Sequence, residues 1–171
     1  MSPFLDALHA DGPAPERAGK MDLYGRFVGS WDLDVTEYRD DGTTRHCAGE
    51  WHFGWALEGR AVQDVWIVPP RGQREGDAAI NGNRYGTTLR VYDPRIDAWH
   101  IQWTEPVGQA YLSMIGRPKG DDIVQLGRNA AGDHTRWGFY EITHGSFLWV
   151  GEVSADGAVW NRVVEFRARR R

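Results

Sequence analysis

Gly29-Ser30-Trp31-Asp32-Leu33-Asp34-Val35-Thr36 is the stretch whose reading decides the fold class. Trp31, Leu33 and Val35 alternate with Asp32, Asp34 and Thr36, the period-two pattern of a strand with one buried face. The chain before it reads differently. Ser2 before Pro3 is an acceptable helix start, and Phe4, Leu5 and Leu8 form one apolar side of a short helix. Gly12 to Pro15 interrupts it, and a second short helix is expected from Glu16 to about Phe27, with Met21, Tyr24, Phe27 and Val28 at helical spacing.

Downstream, the strand pattern continues to the end. Asp40, Asp41 and Gly42 make a turn. Trp51, Phe53 and Trp55 alternate with Glu50, His52 and Gly54, and Glu58-Gly59 turns the chain into a run over residues 60–68. Residues 69–82 read as a polar, glycine-rich loop. Further strands are expected over 83–92, 98–105, 110–116, 122–128, 134–142, 146–153 and 158–166, with Asp93-Pro94, Pro106 with Gly108, Pro118 with Gly120, His144-Gly145 and Asp156-Gly157 at their turns. About ten short strands in meander order, with almost no helix between them, define an all-β chain. Hairpin following hairpin favours a closed antiparallel barrel over a sandwich built from long crossovers. The expected organisation is one domain over 1–171: a helical or irregular lead-in over 1–28, the barrel over 29–168 and a basic tail over 169–171.

Composition narrows the function classes. The chain has 171 residues, enough for a real core, and no apolar run of the ~18 residues a membrane helix needs. Its start lacks the basic, apolar and cleavage segments of a signal peptide, and a lone cysteine, Cys47, suits a reducing cytoplasm. A net charge of −4 gives no electrostatic reason to expect nucleic acid. Of the 20 basic residues all but Lys20 and Lys119 are arginine, and nine tryptophans are present. Each indole can bury about 150–250 Å², so a few of them would dominate a core.

Gly29-Ser30-Trp31, opening the first strand directly after a helical segment, resembles the Gly-x-Trp signature of the lipocalin and fatty-acid-binding (calycin) superfamily. That resemblance implies a tryptophan closing one end of the barrel with an arginine from the last strand packed on it, for which Arg162 and Arg167 are the candidates. Trp55-Ala56-Leu57-Glu58-Gly59-Arg60, followed by Gln63-Asp64-Val65-Trp66, resembles a bacterial family of uncharacterised calycin-like barrels. Nitrobindin, a ten-stranded haem barrel, is a more distant likeness. Its motif continues with two further glycines where this chain has Asp32, Leu33 and Asp34, and residues 159–167 offer no histidine as a proximal ligand. Haem is therefore an alternative, and no cofactor is the first expectation.

Hairpin geometry supplies site candidates. With Glu58-Gly59 as a two-residue turn, Trp55 lies opposite Val62, Phe53 opposite Asp64 and Trp51 opposite Trp66, so Asp64 shares the face of those rings. In an aromatic interior, desolvation would favour its protonated form. A three-residue turn would send it outside, and a structural carboxylate paired with an arginine is the competing reading. With His144-Gly145 as a two-residue turn, Tyr140 lies opposite Trp149 and supplies a hydroxyl to the interior. His100, between Trp99 and Ile101, is a base only if its face turns inward. His46, Glu50 and His52 share one parity, but the spacing lacks a metal motif, and no metal is expected. Neither Ser30 nor Ser113 sits in a nucleophile elbow.

These residues support binding of a small hydrophobic or aromatic molecule, walled by Trp55, Trp66, Trp103, Tyr140 and Trp149 and anchored by Asp64 and Arg162. The alternatives are a cofactor-free isomerase or cyclase using Asp64, His100 or Tyr140, and a filled structural barrel acting through its surface, with a homodimer as its partner form. No nucleic-acid or membrane partner is expected.

Overall fold

The structure, a computed structural model, describes residues 2–74 and 83–171. In helix α1 (Pro3–Leu8) the Ser2 hydroxyl accepts the Leu5 N–H at 3.4 Å and Pro3 fills a position that needs no donor. Strand β1 (His9–Ala10) and a 3-10 turn (Pro15–Arg17) lead to α2 (Ala18–Gly25). The second helix therefore begins later than residue 16, because Pro15 opens the tighter turn first.

Ten strands follow: β2 (Gly29–Tyr38), β3 (Thr44–Ala56), β4 (Ala61–Val68), β5 (Arg84–Asp93), β6 (Ala98–Glu105), β7 (Ala110–Lys119), β8 (Asp122–Arg128), β9 (His134–Tyr140), β10 (Ser146–Ser154) and β11 (Asn161–Arg170). Each pairs antiparallel with the next, and β11 returns to β2, so the ten close into an up-and-down barrel. Closure leaves these strands without open edges, and the sandwich alternative falls. β1 adds outside the ring, pairing with Trp55 and Ala56 on the part of β3 that β2 leaves free beyond Gly29. No helix of the described residues is long and apolar enough to cross a membrane.

Alternation sends one parity of every strand inward. Trp31, Leu33 and Val35 face Trp51, Trp66, Trp103, Trp149 and Phe166 across the interior, and all are buried. Each such ring contributes about 2–3 kcal/mol by leaving water. Helix α2 and the chain after it plug one end. There Met21, Tyr24 and Phe27 are buried, Phe27 stacks on Phe139 at 4.6 Å, and Tyr24 meets Trp99 edge-on at 4.8 Å.

The Trp31 indole N–H donates to the Phe27 carbonyl at 2.7 Å, and a guanidinium lies 4.2 Å above its ring. That guanidinium belongs to Arg170, and neither Arg162 nor Arg167 holds the position. The last strand runs further than the sequence suggests. Arg169 and Arg170 pair with Asp32 and Trp31, and Arg171 N–H donates to the Ser30 carbonyl at 3.0 Å, so the basic end is sheet and not a tail. Of the expected loop over 69–82, Arg71–Gln73 form a 3-10 turn, and residues 75–82 lie outside the described residues.

Candidate functional site

Among the described residues, the end opposite α2 is the more open one. Between the β6–β7 and β8–β9 connections a cavity of about 470 Å³ enters the barrel, walled by Trp103, Leu112, Thr135, Trp137 and Val153. Trp103 on β6 and Trp137 on β9 meet edge to face with ring centroids 5.9 Å apart. Trp103 lies flat against the neighbouring strand because β5 has glycine there: a Cβ on Gly86 would fall 2.2 Å from the ring. Below these two sits a second tier. Trp66 is 4.7 Å from Trp103, and Trp149 is 5.3 Å from Trp137 and stacked on Phe166 at 4.6 Å. Trp51 forms the next ring down, 6.0 Å from Trp149. The arrangement is a shaft of indoles descending from the mouth, suited to a flat apolar guest.

Deeper still lies Asp64. The expected register holds: Phe53 is opposite Asp64, Trp51 opposite Trp66 and Trp55 opposite Val62. Asp64 is inside, but it is not an isolated acid. Arg90, also fully buried, donates to one of its oxygens, and Thr88 N–H to the other at 3.3 Å. The guanidinium carbon is 5.1 Å from the centre of the Tyr24 ring, 5.5 Å from Phe53 and 5.8 Å from Phe139. Beside it the Tyr24 hydroxyl donates to Gln125 at 3.3 Å, and burial pushes that phenol well above its ordinary pKa. The pairing with an arginine is the one the competing sequence reading gives.

Two candidates that the sequence sends inward face outward, each because of an irregularity in its own ladder. Thr143 and Ser146 close the β9–β10 turn in the expected register, with Thr143 N–H donating to the Ser146 carbonyl at 2.8 Å. Below the turn, Glu141 adopts a positive φ of 51° and inserts one extra residue, so Tyr140 pairs with Leu148 and Phe139 with Trp149. Tyr140 then lies on the outer wall, its ring over Gly138. A second irregularity, between Gly151 and Glu152 of β10, places Arg162 opposite Glu152 and outside, where it donates to Glu165 at 2.6 Å.

His100 is also on the outer wall, its Nε2 3.2 Å from Asp93. Trp55 is half-buried at the plugged end, its ring against Gly25 of α2, and is no wall of the mouth. Asp64, His100 and Tyr140 are therefore not brought together. Trp66, Trp103 and Trp149 are, joined toward the mouth by Thr135 and Trp137, while Arg90 joins Asp64 deeper in; sequence reasoning missed these last three residues. Thr135 and Trp137 share the parity of Phe139, a signal hidden by the misplaced register of β9. Arg90 shares the parity of Thr88 and Tyr92, which an arginine does not advertise as interior.

His46, Glu50 and His52 lie outside, as their parity suggests. His52 bridges Ser30 at 2.9 Å and Glu50 at 3.0 Å, while Arg71 closes on Glu50 with Nε at 2.8 Å and its backbone N–H at 2.9 Å. Among the described residues no three metal-ligating side chains cluster, and no histidine stands on the inner face, so a haem held through imidazole finds no ligand there.

A closed ten-strand antiparallel meander, plugged by a helix at one end and, among the described residues, open onto aromatic rings at the other, is an up-and-down β-barrel architecture. No protein-family profile matches the chain, and no curated protein sequence matches it. Solved structures do. Rv2717c from M. tuberculosis superimposes with a TM-score of 0.63 at 12% identity, over 93% of this chain and 99% of that one. The S-type phycobiliprotein lyase CPES from Guillardia theta gives 0.61 at 9% identity, over 93% and 98%. At such identities the likeness carries the fold and says nothing of activity.

Proposed function

We propose that this protein binds a small, largely apolar aromatic molecule in the open end of its barrel, with Trp103 and Trp137 as the gripping walls. The observation that carries the reading is the mouth itself: a cavity of about 470 Å³ lined by two indoles that meet edge to face, at the end α2 does not plug. Chemistry by a proton donor and acceptor inside has no comparable support, because Asp64 is tied to Arg90 and the two other candidates face solvent. That a phycobiliprotein lyase shares the fold is compatible with a barrel serving an organic guest.

The test is a fluorescence titration with N-phenyl-1-naphthylamine, a neutral apolar dye that brightens out of water. Saturable binding at one dye per chain is expected. Trp103→Ala should weaken it at least tenfold, the cost of losing one well-packed ring. Trp160→Ala should leave it unchanged, because that ring packs outside the barrel, 4.1 Å from the guanidinium of Arg136 on the outer face of β9. No saturable binding, or equal loss in both variants, would contradict the reading.

A further inference from the structure

The outer wall of β7, β8 and β9 is apolar where a solvent-facing sheet is ordinarily polar. Ile115 lies directly opposite Leu126, and Val124 follows on the same face of β8. Leu126 is 51% exposed. Opposite Val124 on β9 stands Gly138, so no side chain rises from that position. The Tyr140 ring is laid over the gap: a Cβ on Gly138 would fall 2.3 Å from its Cζ. The β10–β11 connection brings Trp160 to the same place. That turn is fastened by the Asp156 carboxylate, which accepts from Ala158 N–H at 2.8 Å, Val159 N–H at 3.0 Å and the Ser154 hydroxyl at 3.0 Å. Together these residues bound an open groove of about 640 Å³. Along β8 it runs from Leu126 to Asp122, roughly 13 Å at the rise of a strand.

Its charge is one-sided, on a chain whose formal net charge is −4. Arg117, Lys119 and Arg136 line it against a single carboxylate, Asp122. Arg136 is engaged: its Nε donates to Glu152 at 2.6 Å, and its guanidinium lies 4.1 Å from the centre of the Trp160 ring. Arg117 and Lys119 are exposed on β7, opposite Val124 and Asp122 in the ladder. Among the described residues neither enters an ion pair, whereas Arg136 does. With Arg136 offset by Glu152, Asp122 answers one of the two remaining cations and leaves one positive charge in excess.

We infer that this groove is a second binding site, separate from the mouth, for an aromatic acid in its anionic form. The ring system lies over Val124 and Leu126 beside Tyr140 and Trp160, and the acid group is received by Arg117 and Lys119. Ring faces and an apolar floor suit a flat guest, and contiguous exposed apolar surface of this kind marks a contact site. A guanidinium holds a planar acid group through two parallel N–H donors, and the ammonium of Lys119 adds a point charge. Exposed pairs are individually weak, so the rings supply most of the affinity and the cations select the acid over its neutral analogue.

The experiment uses 8-anilinonaphthalene-1-sulfonate, which is N-phenyl-1-naphthylamine carrying one acid group. It is titrated at low salt against the intact chain, alone and with the neutral dye present in excess, and followed by its fluorescence and by the ¹⁵N-indole resonances. The anion should bind in both conditions and move the Trp160 resonance. Arg117→Gln and Lys119→Gln should each weaken it about threefold, and the pair together about tenfold. Arg39→Gln, which removes an exposed cation from the β2–β3 turn, should leave its affinity unchanged. A Trp160 resonance that stays fixed, or an anion that only displaces the neutral dye, overturns the inference and places the acid in the mouth. Equal losses in Arg39→Gln and in the groove variants overturn it as well, because net charge alone would then attract the probe. A neutral dye that moves Trp160 as far as the anion does refutes the selection of an acid. Should the neutral dye bind nowhere, the reading of the mouth falls, and the Trp160 shift with the anion still decides this one.

Discussion

Asp64 and Glu50 are two carboxylates that the sequence marks out, and their surroundings give them different work. Asp64 shares the barrel interior with Arg90, both fully buried and ion-paired. A buried pair adds little net stability, but breaking one leaves an uncompensated charge in low dielectric. Asp64→Asn should therefore cost about 3–5 kcal/mol in urea unfolding. An unchanged midpoint would contradict the pairing and restore Asp64 as a free acid. Glu50 lies on the outer wall, where Arg71 side-chain donation first, then Arg71 N–H and His52, outweigh its burial and hold its pKa at about 2 against an ordinary 4.5. A folded-state pKa below the unfolded one gives stability that is present above pH 4.5 and is lost as pH falls toward 2. Arg71 is more than half exposed, which weakens the pair through solvent screening. Glu50→Gln should thus lower stability by about 1–2 kcal/mol at pH 7. Thermal midpoints of the two proteins should converge between pH 4.5 and 2.5, and a constant gap would refute the assignment.

At the scale of elements, the strands were legible because ten amphipathic runs each obey one period, and the ladder follows them closely. What parity could not carry was the irregular residue. Glu141 has no sequence mark that forecasts a left-handed conformation, yet it reverses the facing of every residue of β9 and hides Trp137. The shift at Gly151/Glu152 does the same to Arg162. The closing arginine, Arg170, lies three positions beyond Arg167, because β11 runs on past residue 166, where the sequence pattern ends it. The β3–β4 register survived because Arg60 N–H closes the turn onto the Leu57 carbonyl at 3.1 Å, leaving no extra residue. That turn also anchors the lead-in: Ala14 N–H donates to the Gly59 carbonyl at 3.0 Å, and Leu57 N–H to Leu8 at 3.0 Å. Gly59 has a φ of 73°, and a Cβ there would fall 2.2 Å from the Gly12 carbonyl oxygen. Gly59→Ala should accordingly cost about 2–3 kcal/mol and loosen residues 3–14, read as faster amide exchange at Ala14. Exchange unchanged at Ala14 would show that the lead-in is held elsewhere.

For the whole molecule, one asymmetry organises the account. The two ends of the barrel are chemically unlike. At one, α2, Trp31 and Arg170 form a plug of stacked rings and satisfied carbonyls. At the other, among the described residues, Trp103 and Trp137 border an open cavity, and the Trp149 and Trp51 N–H groups below them have no partner. Tryptophan content alone could not separate a filled barrel from a receptive one. The sequence shows nine rings, and only the closed fold shows which of them stack on a plug and which border space. The nine indole N–H groups make the decisive measurement direct. In a ¹⁵N-indole NMR titration with N-phenyl-1-naphthylamine, the resonances of Trp103 and Trp137 should move progressively to saturation, while Trp31 at the plug and Trp160 on the outer wall stay fixed. Movement confined to Trp160, or no movement at Trp103 and Trp137, would contradict the open end as the site.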